Sequence, residues 1–495
     1  NKPMKKLKFP TPYTVLMLVI ILAASLTFLL PSGAYNTLQY NKANDTFVIH
    51  TSDSTYALPA TQEQLNQLGI NIQLSKFKEE KIRKPISIPN TYVQSQPHYQ
   101  GVKSVLFAPI KGIYDTIDII LFVLVLGGFI GVFNSSGALN MGVGYLAHKL
   151  KGREGILIIL LTTLLALGGT SFGLAEETFV FYPMIVPIFL AAGYDLMVPL
   201  AVIYIGANIG TLASTTNPFA VIIASDAAGV DWTSGLSIRI IALVLCVVIS
   251  IIYIIHYAEK VRKHPEKSIV YGVAIPEIYA SNNSEPTTSL KVSTKIELLV
   301  FALSFVIMII GVSQWEWDFM DMTALFLVAA IAIALLQRCG EQQFISQFMA
   351  GARDLLGVAF IIGIARGVSF ILNDGQISGT ILHYATDLVQ GMSPIVFLPM
   401  LMLIFGLLSL FIASSSGMAV LTMPIIGALA SVVGVEGHSV VSAYLFGMGI
   451  MAFITPTGLI LPSLAMVNIN YKQWLRFISP LALILIILLT ILLWI

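Results

Sequence analysis

The chain has 495 residues, 56% of them hydrophobic and only 11% charged, with a mean hydropathy of +0.85. A soluble domain carries about 25% charged residues, so a water-soluble globular protein is excluded. The net charge of +1 provides no global field for nucleic acid or an acidic partner. Cys246 and Cys339 lie in or beside separate apolar runs, which leaves no disulfide framework and no metal cluster, and both are read as packing residues.

Bilayer hydrocarbon is spanned by roughly 20 apolar residues, and the chain holds about a dozen runs approaching that length. The first, 11–30, follows Lys2, Lys5, Lys6 and Lys8. Its length of about 20 residues, with no small-x-small cleavage site after Pro31, favours a retained helix with a cytoplasmic N-terminus. The stretch 31–102 turns polar, rich in Asn, Thr, Gln and Ser, and is expected to be an aqueous loop outside the cell.

Apolar runs follow at 117–131, 156–168, 180–192, 198–223 and 238–256. A second polar stretch, 257–295, opens with Lys260, Arg262, Lys263 and Lys267, so the positive-inside rule makes it cytoplasmic. Further runs cover 298–312, 322–336, 355–372, 395–412, 418–433, 440–454 and 475–495. The connector with Trp315, Glu316, Trp317 and Asp318 lacks Lys and Arg and carries two interfacial tryptophans, which places it outside.

An internal repeat recurs at an offset of about 238 residues. Gly137 aligns with Gly375, Ser171 with Ser409, Ala175 with Ala413 and Pro218 with Pro456. The leading helix of the first half runs from the outer loop to the basic turn Lys149, Lys151, Arg153. Its equivalent starts beside Arg338 and Arg353 and ends at Asn373 and Asp374, with no nearby cation. The two halves are therefore expected to be inverted relative to each other.

Four polar interruptions lie inside apolar sequence, paired through the repeat: 168–178 with 409–417, and 206–218 with 447–458. Unpaired backbone in hydrocarbon costs several kcal/mol per group, so such breaks survive only inside protein or against a watery cavity. They are the candidate binding elements. Their site residues are Glu176, Glu177 and Thr178; Asn208, Ser214, Thr216 and Asn217; Ser414, Ser415 and Ser416; and Thr455 and Thr457. Any one Ser or Thr among them could equally bond back to its own helix.

Glu176 and Glu177 stand apart, because an intramembrane carboxylate costs at least about 2.5 kcal/mol and persists where function or a partner requires it. One reading gives them a substrate or proton role. The other pairs them with Arg366 or Arg239 as a structural lock. Arg366, flanked by Gly363 and Gly367 in an apolar helix, could instead grip a substrate carboxylate. Asp226, Asp231, Asp115, Asp118, Asp354 and Asp374 are read as facing water or the interface. The scattered histidines show no HExxH or other ligand spacing, and no Walker sequence is present. No cofactor, metal or enzyme active site is indicated. A secondary transporter of a small polar solute is the function these features imply, with a channel as the nearest rival class.

TSFGLAEETFVFYPMIVP (170–187), STTNPFA (214–220), SSSGMAVLTMP (414–424) and ITPTG (454–458) resemble the YfcC family. That family is related to the anaerobic four-carbon dicarboxylate carriers of the ion transporter superfamily. The resemblance extends from KFPTPYTVLMLVI and PSGAY near the start to YKQWLRFISPL near the end, and in AEET and STTNPFA it is closest to arginine and ornithine exchangers. It implies an all-α polytopic fold with two re-entrant hairpins and discontinuous helices, a scaffold and a mobile transport domain working as an elevator, and a homodimer in the plasma membrane. Related transporters carry a Ser-Asn-Thr signature at their hairpin tips, where this chain has Glu176-Glu177-Thr178 and Ser414-Ser415-Ser416.

The expected organisation is an N-terminal helix (1–30), an extracytoplasmic loop (31–102), a first repeat with hairpin and broken helix (103–256), a cytoplasmic linker (257–295), scaffold helices (296–337) and a second inverted repeat with the C-terminal helix (338–495). Adjacent carboxylates in a low-dielectric site attract a cation, so a basic amino acid is the expected substrate. Ion-coupled import of dicarboxylates, short-chain acids or small peptides is the alternative.

Overall fold

In the computed structural model the described residues are 10–149, 153–279, 290–315, 317–412 and 414–495. The basic residues expected at Lys2, Lys5, Lys6, Lys8 and Lys151, as well as Glu316 and Ala413, lie outside them.

Among the described residues nine helices are long and apolar enough to cross a membrane. The first is α1 (Pro12–Leu29), capped by the Thr11 side chain. After the segment 31–101 come α4 (Val102–Asp115), α5 (Ile117–Asn134), α6 (Ala138–Lys149), α7 (Glu154–Phe172), α8 (Tyr182–Ala191), α9 (Met197–Leu212), α10 (Ile223–Ala228) and α11 (Leu236–Lys263). Two helices, α12 (Val292–Gln314) and α13 (Phe319–Leu336), lead into the second half. That half consists of α14 (Glu341–Asp374), α15 (Ser378–Val389), α16 (Pro394–Ser409), α17 (Ser415–Val433), α18 (Gly437–Ala452), α19 (Ile460–Met466) and α20 (Tyr471–Leu492).

The succession α5 to α11 is matched, element for element, by α14 to α20. Three of the four helices that end at the polar breaks are short: while α7 has 19 residues, α9, α16 and α18 have 16 each. At 1.5 Å per residue that is roughly 24 Å, less than the hydrocarbon thickness of about 30 Å.

Lipid is as apolar as a leucine side chain, so burial does not drive these helices together; close backbone approach does. A Cβ on Gly127 of α5 would sit 2.5 Å from the Gly351 carbonyl of α14, and one on Gly131 would sit 2.5 Å from that of Gln347. As α5 advances, α14 retreats, so these equivalent helices are antiparallel. The same holds for α9 and α18: Asn208 Nδ2 donates to the Gly449 carbonyl at 2.9 Å and the Tyr204 hydroxyl to that of Ala452 at 2.5 Å. Within each half the pairing repeats, with contacts 45 residues apart between Thr215 and Thr170 and 47 apart between Thr457 and Leu410.

The fold is not all-α. The segment expected to be an aqueous loop is a folded lobe. Strands β2 (Thr37–Asn41), β3 (Thr46–His50), β4 (Thr55–Pro59) and β5 (Ile86–Ser87) form an antiparallel sheet in the order β4-β3-β2-β5, and β1 (Gly33–Ala34) pairs with β6 (Val93–Gln94). Helices α2 (Gln62–Gln67) and α3 (Leu74–Lys78) cover the larger sheet. Its core of Leu38, Phe47, Ile49, Leu65, Ile70, Phe77 and Ile86 also takes in Val420 of α17. Polar composition concealed a period-two pattern, in which Phe47 and Ile49 point inward while Thr46 and Val48 remain partly open.

Candidate functional site

Helix α7 ends at Gly173, whose φ of +77° reverses the chain. A short helix, Glu176–Phe181, then leads into α8. Two of the predicted residues stabilise that turn themselves: Glu177 accepts the Ala175 N–H at 2.9 Å, and the Thr178 hydroxyl donates to the Ala175 carbonyl at 2.6 Å. Neither Glu176 nor Glu177 forms an ion pair among the described residues.

The second break closes onto the first. The N–H groups of Thr215 and Thr216 both donate to the Thr170 carbonyl, at 3.2 and 3.1 Å. The Thr216 hydroxyl reaches the Ser171 carbonyl at 3.2 Å. Asn217 Oδ1 accepts from the Phe219 and Ala220 N–H groups, while its Nδ2 donates to the Gly169 carbonyl and to Ser214 Oγ. Ser214 is fully buried and donates to the Thr211 carbonyl. Asn217 and Ser214 therefore shape the site, with their polar atoms already engaged.

The second half is built alike. Ser414 caps α17 by accepting the Gly417 N–H at 3.1 Å, and the buried hydroxyls of Thr455 and Thr457 lie 2.8 Å apart, with Thr457 donating to the Leu410 carbonyl. A bridge joins the halves: Ser415 Oγ donates to the Phe219 carbonyl at 3.2 Å, and Asn208 to that of Gly449. Break 447–458 thus touches both 206–218, through Asn208, and 409–417, through Thr457, and 168–178 joins them through 206–218. Ser416 instead receives the ammonium of Lys84 from the lobe, at 2.8 Å.

Neither arginine locks the glutamates. Arg366 pairs with Asp115 at 2.7 Å, and Arg239, fully buried in α11, donates to the Ser234 and Trp232 carbonyls. Asp226 does not face water: it is buried and paired with Lys76 of the lobe at 2.8 Å. Asp231 is exposed and accepts from Thr233, and Asp374 makes an open pair with Lys111. Lys84, Asp115 and the Lys76–Asp226 pair were not candidates. Their partners are more than a hundred residues away in sequence, and no local pattern reveals such pairings.

Short helices meeting at contacting polar breaks within a multispanning bundle define a membrane transporter. By sequence the chain belongs to the DcuC family, described as C4-dicarboxylate anaerobic carriers, which it matches over residues 9–495. An uncharacterized protein of Haemophilus influenzae is 41% identical over 487 residues, covering 97% of this chain and 95% of that one. The putative basic amino acid antiporter YfcC of Escherichia coli is 27% identical over 493 residues, covering 96% and 94%. Among solved structures, the YdaH transporter of Alcanivorax borkumensis covers 98% of both chains at 14% identity with a TM-score of 0.39. MtrF of Neisseria gonorrhoeae covers 98% of this chain and 95% of its own at 16% identity, with the same TM-score of 0.39.

Proposed function

We propose that this chain is a secondary active exchanger of basic amino acids, of the arginine and ornithine kind. The observation that carries this is the adjacent pair Glu176 and Glu177, placed where α7 breaks and left without a cationic partner among the described residues. A guanidinium or ammonium of the substrate supplies the missing charge through charge-assisted hydrogen bonds. Hydroxyls of Thr178, Thr216, Ser415, Ser416, Thr455 and Thr457, and the side chain of Asn208, line the polar breaks around it. The name of the YfcC relative points the same way.

In this reading the antiparallel equivalents are inverted repeats, α7 with α8 and α16 with α17 are re-entrant hairpins, and α9–α10 and α18–α19 are the discontinuous helices. The hairpins and broken helices move together as a transport domain past a scaffold that includes α12 and α13. The protein works as a homodimer in the plasma membrane with its N-terminus in the cytoplasm and its lobe outside. Both halves of the cycle require the site to be reached from one side at a time, which distinguishes a carrier from a channel.

The test is counterflow of labelled arginine into liposomes preloaded with ornithine. The wild type accumulates label transiently, and the Glu176→Gln, Glu177→Gln double variant loses at least about tenfold of the rate, since one charge-assisted hydrogen bond contributes ~1.5–3 kcal/mol. Undiminished arginine uptake by the double variant overturns the reading. Accumulation of succinate in its place would support the dicarboxylate alternative that the family description favours.

A further inference from the structure

A cavity of about 390 Å³ lies between the lobe, the outer half of α14 and the start of α17. Lys84, Asp115, Arg366, Ser369, Ser378 and Ser414 line it. Its volume falls in the range of small-ligand sites, roughly 300–1,000 Å³. Two cations and one carboxylate give it a net positive charge.

The donors are only partly used. Arg366 Nε donates to Asp115, which leaves the terminal N–H groups of the guanidinium beyond that bond. Lys84 donates to Ser416 Oγ and has two further protons. The Ser378 hydroxyl is buried without a hydrogen-bond partner among the described residues. Burial first, and the Arg366 guanidinium second, push the Lys84 ammonium below the ordinary lysine range, against the opposing pull of Asp115. An anion seated between the two cations removes that conflict.

We propose that this cavity receives the carboxylate of the transported solute at the lobe side of the carrier, gripped by Lys84 and Arg366. Asp115 then faces the solute's ammonium. The assignment of an amino acid rests on the exchanger reading above; the carboxylate grip does not depend on what else the solute carries. The cavity reaches Ser414 and Gly417 of the break 409–417, so a solute held here stands next to the polar breaks.

Thermal-shift titration of the purified full-length protein with L-arginine, L-argininamide and succinate tests this. L-arginine stabilises the wild type and L-argininamide, lacking the carboxylate, does not. Lys84→Gln removes the charge but keeps a donor able to reach Ser416, and it raises the apparent Kd at least tenfold; Lys84→Arg restores affinity. Binding of succinate in place of arginine, with the same dependence on Lys84, retains the grip and removes the amino acid reading. Equal affinity for the amide, an unchanged Kd in Lys84→Gln, or no shift of the wild type with either carboxylate overturns the proposal.

Discussion

Asn217 shows how a residue in a polar break can be indispensable without touching solute. Its carbonyl oxygen caps the chain after Pro218, and its amide holds Gly169 and Ser214, so one side chain fastens the second break to the first. Replacement by alanine leaves two N–H donors and a carbonyl unsatisfied in a buried place. The expected loss for Asn217→Ala is about 2–4 kcal/mol, read as a lower melting temperature in detergent together with lost transport. Asn217→Ser keeps an acceptor for the cap but not the reach to Gly169, so it should fall between the two. A variant with wild-type melting temperature would mean that the breaks are held by the threonines alone. The sequence marked Asn217 as a candidate because polar residues inside apolar runs are conspicuous. Whether such a residue binds solute or its own backbone depends on where the neighbouring break lies, and that information is not local.

At the scale of elements the repeat was legible because helix breaks need Gly, Pro, Ser or Thr at matching places, and those residues stand out against leucine and isoleucine. The antiparallel courses of α5 against α14 and of α9 against α18 are what the proposed inversion requires. The lobe was not legible: strands of five residues with mixed partners give too weak a period to stand out from polar loop sequence. One glycine in each half shows how closely the helices approach. A Cβ on Gly210 would lie 2.1 Å from the Ala166 carbonyl, and one on Gly447 would lie 2.1 Å from that of Met402. Neither distance is tolerable against backbone, so α7 must move from α9, or α16 from α18. Gly210→Ala and Gly447→Ala are each expected to cost about 1–3 kcal/mol and to slow transport. Gly155→Ala, where nothing lies within 4 Å of the added carbon, should be neutral on both measures. Equal behaviour of the three variants in thermal unfolding and uptake would show that the two helix pairs are loosely packed.

For the whole molecule, the lobe grips two parts of the membrane body at once. On one side Gly33 N–H donates to the Gln376 carbonyl, Ser32 to that of Gly375, and Tyr92 shares a hydrogen bond with Thr380, tying the lobe to the end of α14 and to α15. On the other side Lys76 pairs with Asp226 of α10, Lys84 bonds Ser416, and Val420 enters the lobe's core. If α10 and α17 travel with the solute while α14 stays, the second set of contacts must break in every cycle and the first must not. A cross-link across each set distinguishes them. In a background with Cys246→Ala and Cys339→Ser, the pair Lys76→Cys with Asp226→Cys removes both charges together, which costs far less than orphaning one of them. This variant should transport until a reducible bifunctional thiol reagent joins the two positions, stop when it does, and recover on reduction. The same reagent on Ser95→Cys with Gln376→Cys, whose native side chains meet at 2.8 Å on the other set, should leave counterflow unchanged. Transport that continues at full rate with Lys76→Cys and Asp226→Cys joined would show that α10 does not move against the lobe. The motion would then have to be sought between the lobe-bearing body and the helices α12 and α13.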